Sequence, residues 1–190
     1  MTKIKLITLP NPHLRQHSKR VGLITPEIKK LAEEMINITL KWEDGREHEL
    51  GVALAAIQVD QDLRIIVVRN SFEDKDDRTF NVLINPEIVK YEGEKIIDLE
   101  GCLSLPDIYG KVKRFSKIKV KALDINSKPI RLTAEGFLAR IIQHEVDHMK
   151  GVLFIDHIKN NKKSFYKLDP EGKLIGLDYE KDIKQNSILW

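Results

Sequence analysis

The chain has 190 residues, 42% hydrophobic and 32% charged, with 32 basic against 29 acidic side chains. That length makes one domain with a hydrophobic core of its own, and no apolar run approaches the 18 or so residues of a membrane span. The charges are interspersed around a net +3, so no sequence-specific nucleic-acid face is implied. The single cysteine, Cys102, excludes a disulfide within the chain and fits a reducing cytosol. The N-terminus runs straight into an alternating apolar pattern, without the features of a signal or transit segment, so a cytoplasmic protein is expected.

Pro10 and Pro12 break the opening strand-like stretch, and His13 and His17 beside them read as loop histidines. Thr25-Pro26-Glu27 predicts a helix start, with a cap, a proline at the first position and an acid at the positive end. Ile28, Leu31, Ala32, Met35, Ile38 and Trp42 then recur at helical spacing, which places this N-terminal helix against the core. Residues 43–49 read as a charged loop in which His48 is solvated. The run Gly51 to Gln58 is small and apolar and ends in one amide. By itself it reads as a buried strand or turn, although small residues also let the backbone approach a partner closely.

Residues 63–69 predict a buried strand and 71–78 a charged loop. A second strand over 81–85 is expected to stop at Pro86. Residues 88–91 and 95–99 flank Glu92-Gly93-Glu94 as a hairpin. Residues 118–123 and 130–134 form another around Asn126 to Pro129, leading into a helix. Beyond Gly151 come an apolar turn, a basic solvated segment at 159–163 and a possible late hairpin around Asp169-Pro170-Glu171-Gly172. His157 has no evident role. The whole predicts an α+β fold: antiparallel β-sheets packed around one helix, plus the N-terminal helix. Residues 1–190 are expected to be one domain, with 159–190 as its C-terminal tail.

That central helix carries His144-Glu145-Val146-Asp147-His148. On a helix, residues i and i+4 have Cβ atoms about 5–6 Å apart, close enough for two imidazoles to share one ion. Glu145 sits about 100° round from His144, where a general base beside a metal-held water belongs. Cys102 can add a soft thiolate, and three protein ligands with one position open to water is a catalytic rather than a structural pattern. A lone cysteine is ordinarily a small buried hydrophobe; only the H-E-x-x-H makes this one a ligand candidate.

Taken together, Gly51 to Gln58, Glu100 to Ser104 and His144 to Gly151 resemble the peptide deformylases, which carry G-x-G-L-A-A-x-Q, E-G-C-L-S and H-E-x-D-H-L-x-G in this order. The resemblance spans roughly residues 1 to 158. Two positions depart from the pattern. Ala53 replaces the second glycine, adding a methyl where the family's backbone meets substrate, and Met149 replaces a leucine at nearly constant volume.

The resemblance implies that Cys102, His144 and His148 ligate one divalent metal ion per chain, Fe(II) in the cell, with Zn, Ni or Co able to occupy the site. It implies Glu145 as general acid and base, and Gln58 with the backbone N–H of Leu103 as the pair holding the formyl oxygen. The implied activity is removal of the N-formyl group from the formyl-methionine of nascent polypeptides, with the ribosome as a possible partner. Ala53, Leu54, Leu103 and Phe137 are candidates to contact substrate. Arg140 is either at the pocket rim or a snorkelling surface charge. Two other classes stay open: an H-E-x-x-H endopeptidase, which would need a further downstream ligand where only His157 is available, and a non-catalytic protein that keeps the metal site.

Overall fold

The computed structural model describes residues 4–186 and 188. Its strands are β1 (Ala53–Ala55), β2 (Ile65–Arg69), β3 (Phe80–Cys102), β4 (Leu105–Leu123), β5 (Pro129–Glu135), β6 (Phe165–Leu168) and β7 (Leu174–Gly176). They form one sheet in the order β1-β2-β3-β4-β6-β7, with β5 also on β4, and every pairing is antiparallel. The helices are α1 (Pro26–Asp44), α2 (Gly136–His148) and the short α3 (Phe154–Ile158), and a π-helical turn follows at Tyr179–Lys184. The α+β expectation therefore holds.

Two long strands, β3 and β4, form the spine. Each changes partner along its length: β3 takes β2 at residues 80–84, while β4 takes β6 at 109–110 and β5 at 117–123. Two expectations fail within β3. Pro86 does not end a strand; it lies in a register shift between Ile84 and Glu87, the kind of irregularity that tolerates a residue without an N–H. Asn85, at φ 53, is held there by paired bonds to Val21: its side chain accepts from Val21 N (2.8 Å) and donates to Val21 O (2.9 Å). Glu92-Gly93-Glu94 is not a hairpin tip either. Gly93 has φ 72 inside a register shift between Glu92 and Lys95, and a Cβ there would come 2.3 Å from Ser116 Oγ. Glycine signals a bulge here rather than a turn. The true tip is Leu103-Ser104, between the paired residues Cys102 and Leu105.

The sheet's two faces bury different helices. Ala53 and Ala55 of β1 pack in one cluster with Ala139, Ile142 and Val146 of α2. Leu54, pointing the other way, packs with Met35 of α1 and with Ile65, Val67 and Ile84, as strand alternation requires. Helix α1 buries Ala32, Met35, Thr39 and Glu43, and its Thr25 cap position is extended but makes no side-chain cap bond. Glu43, at its last turn, accepts from Arg69 Nη1 (2.6 Å) and Gly51 N (3.0 Å), tying α1 to β2 and to the start of β1.

Of the opening stretch read as strand-like, residues 1–3 lie outside the described residues. The rest is extended chain that bonds across the site region: Ile7 N donates to Gln58 O (2.8 Å) and Leu9 N to Ser104 O (3.0 Å). His13, read as a loop histidine, lies in a 3-10 turn at Pro12–Arg15, with Nδ1 3.2 Å from Asp60 Oδ1. The late hairpin is present as β6 and β7.

Past α2 the chain turns at Gly151, with φ +69 and the position of a Cβ only 2.3 Å from Arg15 O. Gly151→Ala meets both left-handed strain and a backbone clash, and is expected to destabilise the protein by more than about 1 kcal/mol. Urea unfolding measures it; an unchanged midpoint and slope would contradict this account of the turn.

Candidate metal centre

Helix α2 begins where Gly136, at φ 56, breaks away from the extended Glu135. Residues Ala139 to Val146 are then all buried, so the helix runs through the interior and carries both histidines in with it. His144 and His148 stand one turn apart with their Nε2 atoms 3.2 Å from each other. Cys102, delivered by the last residue of β3, places Sγ 3.2 Å from His148 Nε2. Ligand atoms from all three lie within 4.8 Å of one another, and all three residues are buried. The sequence places the two histidines on one helix and Cys102 far from it; the β3–β4 tip brings the thiol to them.

A thiol and two imidazoles aimed at a common point suit a divalent ion of the borderline or soft kind. His148 Nδ1 is buried without a hydrogen-bond partner, so that ring is positioned by packing and its Nε2 faces the cluster. Burial and the adjacent His144 push the His148 imidazole well below its ordinary pKa. That keeps it neutral, as a ligand must be. Three converging donors and a neutral ring fit the metal that the sequence implies.

Glu145 is 4% exposed, and its Oε2 has no partner. Burial pushes its carboxyl up to about 7, with His144 working in the opposite direction. A carboxyl near neutrality can both take and return a proton, and a neighbouring cation would lower it further. Gln58 accepts from Ala55 N (2.8 Å) through Oε1, which turns its amide N–H₂ toward Ser104 Oγ (3.1 Å) and Cys102 Sγ (3.5 Å). Leu103 occupies the hairpin tip and lines the same cleft.

One residue that sequence reasoning left without a role organises the centre. Glu100 is 5% exposed. It takes His144 Nδ1 at 3.0 Å, Arg114 through Nε (2.9 Å) and Nη2 (3.1 Å), and Arg140 Nη1 at 2.8 Å. Burial alone would raise its pKa, but the bonds from His144 and Arg114 outweigh that and hold it well below the carboxylate range. An anionic Glu100 accepts the Nδ1 proton of His144 and leaves Nε2 facing the cluster. A signal was available: Glu100 and Cys102 are i, i+2 on one strand and so share a face. Arg114 also bonds Asp147, which His157 meets at 2.7 Å, so His157 acquires a role the sequence did not suggest.

The cleft above the centre has a volume of about 500 Å³ and is lined by Ala53, Phe137 and Arg140 among others. Phe137 is 46% exposed at its mouth and stacks edge-on against Phe72 at 5.1 Å. Leu54 is corrected: it is fully buried on the α1 side of β1 and is not part of the cleft lining. Arg140 is corrected as well. It is neither a rim residue nor a snorkelling charge, being 5% exposed and bonded to Glu100 and to the carbonyls of Asp98, Val112 and Ile96. His48 is exposed, as its solvated reading requires, and also lines the cleft.

An α+β fold that gathers a thiol, two imidazoles and an unpartnered buried carboxylate in one cleft defines an enzyme of the hydrolase class. The family profile described as polypeptide deformylase matches residues 3–164. A peptide deformylase of Mesorhizobium japonicum is 41% identical over 179 residues, covering 90% of this chain and 97% of its own. Another, from Desulfotalea psychrophila, is 36% identical over 167 residues, covering 88% and 94%. The crystal structure of a peptide deformylase from Synechococcus elongatus in complex with actinonin superposes with a TM-score of 0.75 at 37% identity, covering 85% of this chain and 83% of that one. The chain belongs to the peptide deformylase family.

Proposed function

We propose that this protein hydrolyses the N-formyl group from the formyl-methionine of nascent polypeptides in the cytoplasm, and that residues 1–190 act as one catalytic domain. The observation that carries the reading is the convergence of Cys102, His144 and His148 beside Glu145, with the Gln58 amide aimed at the same point. Cys102, His144 and His148 would hold one divalent ion, Fe(II) by the family's precedent with Zn, Ni or Co as substitutes. When bound, the ion supplies Lewis acidity toward water and the formyl oxygen.

The chain's own groups do the rest. Glu145 accepts a proton from the attacking water and returns it to the departing amine nitrogen as the C–N bond breaks, so formate and a free amino terminus result. As the carbonyl oxygen gains charge, the Gln58 amide and the Leu103 N–H donate to it; one such donor is worth roughly 2.7–4 kcal/mol. Glu100 keeps the His144 ring oriented throughout. Between Asp98 and Gly101, β3 is paired only with β4. Its other edge can therefore take an extended peptide through main-chain hydrogen bonds.

The test is formate release from a formyl-Met tripeptide by protein purified without oxygen and loaded with Fe(II) or Ni(II). Acetyl-Met peptide and chelator-stripped protein serve as controls. Release from the formyl peptide alone, lost on stripping, supports the assignment. Cleavage of internal peptide bonds would instead indicate an endopeptidase. No formate from folded, loaded protein would withdraw the catalytic reading and turn attention to ribosome binding. No helix among the described residues is long and apolar enough to cross a membrane.

A further inference from the structure

The cluster around Glu100 does not end inside the protein. Arg114 spends Nε (2.9 Å) and Nη2 (3.1 Å) on the two Glu100 oxygens, which leaves Nη1 facing the other way. That group donates to Asp147 Oδ2, and the same oxygen meets His157 Nε2 at 2.7 Å. The result is one line of bonded groups: His144, Glu100, Arg114, Asp147 and His157. Glu100 and Arg114 are buried, whereas the Asp147 side chain keeps 17% of its exposure and that of His157 keeps 37%. The line therefore runs from a metal-ligand candidate to the surface.

Its geometry is a clamp on one turn of α2. His144 and Asp147 are three positions apart on that helix and so share a side of it. Glu100 comes from β3 and Arg114 from β4, and together they bridge from His144 Nδ1 (3.0 Å) back to Asp147. A guanidinium is planar, so its bidentate pair with Glu100 holds only while Nη1 keeps its own acceptor. His157 secures that acceptor. Its Nε2 and Arg114 Nη1 lie 3.3 Å apart with Asp147 Oδ2 between them. Facing a carboxylate, Nε2 must carry the proton. A partly exposed carboxylate with one donor can turn toward water; with two it is fixed. His157 is itself held by α3, whose Phe154 is buried and stacks on the His144 ring at 6.1 Å and 22°. Arg15 anchors the same short helix through Asp156 at 2.6 Å.

We propose that His157 is a positioning residue for His144, acting from the surface through Asp147, Arg114 and Glu100. For turnover this rests on the deformylase reading, but its consequence for metal binding does not.

The experiment uses full-length protein, stripped and reloaded with Co(II), whose visible absorption bands report the ligand geometry. His157→Phe keeps a ring without a donor, and His157→Gln restores an N–H. His157→Phe is expected to shift the Co(II) bands and to weaken binding in chelator competition about 3- to 10-fold, short of the 10- to 100-fold typical of a group bonded to the ligand itself. With formyl-Met tripeptide at saturating metal, kcat falls and KM stays. His157→Gln recovers the bands and the affinity. In an Asp147→Asn background His157→Phe adds nothing, because its only route is already cut. Circular dichroism confirms folding; if Asp147→Asn does not fold, the Phe and Gln variants decide alone. Shifted bands and weaker binding without formate release from the wild type would overturn the reaction and leave the positioning role standing. Unchanged bands and affinity in folded His157→Phe, no recovery in His157→Gln, or full additivity with Asp147→Asn would overturn the inference.

Discussion

Replacing Glu145 with alanine is expected to lower kcat for formate release by about 100- to 10,000-fold, the span typical of a positioned general acid–base group. The bound metal stoichiometry should stay unchanged. The expectation follows from two facts about this side chain. It is buried with one oxygen unpartnered, and it sits one residue from His144 without being needed as a donor in the Cys102, His144, His148 set. A structural carboxylate at that depth would be hydrogen-bonded on both oxygens. Glu145→Gln preserves shape and separates loss of proton transfer from loss of packing. Retained turnover in either variant, with metal content intact by elemental analysis, would remove Glu145 from the mechanism.

The second large effect is expected at Glu100. Glu100→Ala leaves Arg114, Arg140 and the Nδ1 of His144 without their shared acceptor in a buried setting. Deleting one partner of a buried ionic cluster typically costs about 3–5 kcal/mol, because the remaining charges stay desolvated. Metal affinity is expected to fall about 10- to 100-fold as well, as it does when a ligand histidine loses the group that orients it. Glu100→Gln, which keeps the shape but cannot neutralise two guanidinium groups, should recover part of the affinity and little of the stability. Denaturant titration of the stripped protein reads the first effect and competition with a chelator the second. A stable Glu100→Ala variant with unchanged affinity would show that packing, not this carboxylate, orients His144. At neutral pH Glu100 is ionised, because its pKa is held well below the usual carboxylate range, and Arg114 beside it is charged.

Local preference does not govern a long ribbon such as β3 and β4. Pro86 and Gly93 are turn residues by local preference, and by that preference each interrupts a strand. Inside a ribbon paired along its length, they become bulges instead, because the ladder on either side restores its register and absorbs one extra residue. The actual turn, Leu103-Ser104, has neither glycine nor proline. It is imposed by the two flanking strands rather than by its own residues. Arg140 and Glu100 owe their places to partners that no local reading supplies. A charge in a sequence reads as solvated unless its partners are known, and the partners here are as far as 44 positions away.

By itself the sequence determined the helix spacing that puts His144, Glu145 and His148 on one turn, the amphipathic α1, the β4–β5 hairpin and the motif order that marks the family. The first three depend on residues close together in the chain, where geometry follows from backbone periodicity; the motif order is read directly along it. Only the tertiary structure decided that Cys102 meets the histidines, that Glu100 joins two arginines and His144 in one buried cluster, that Leu54 faces α1, and that the C-terminal hairpin closes on His48. These are contacts between distant segments. They are chosen by which faces the sheet buries and by the need to pair each buried charge, and no short stretch of the chain contains that information.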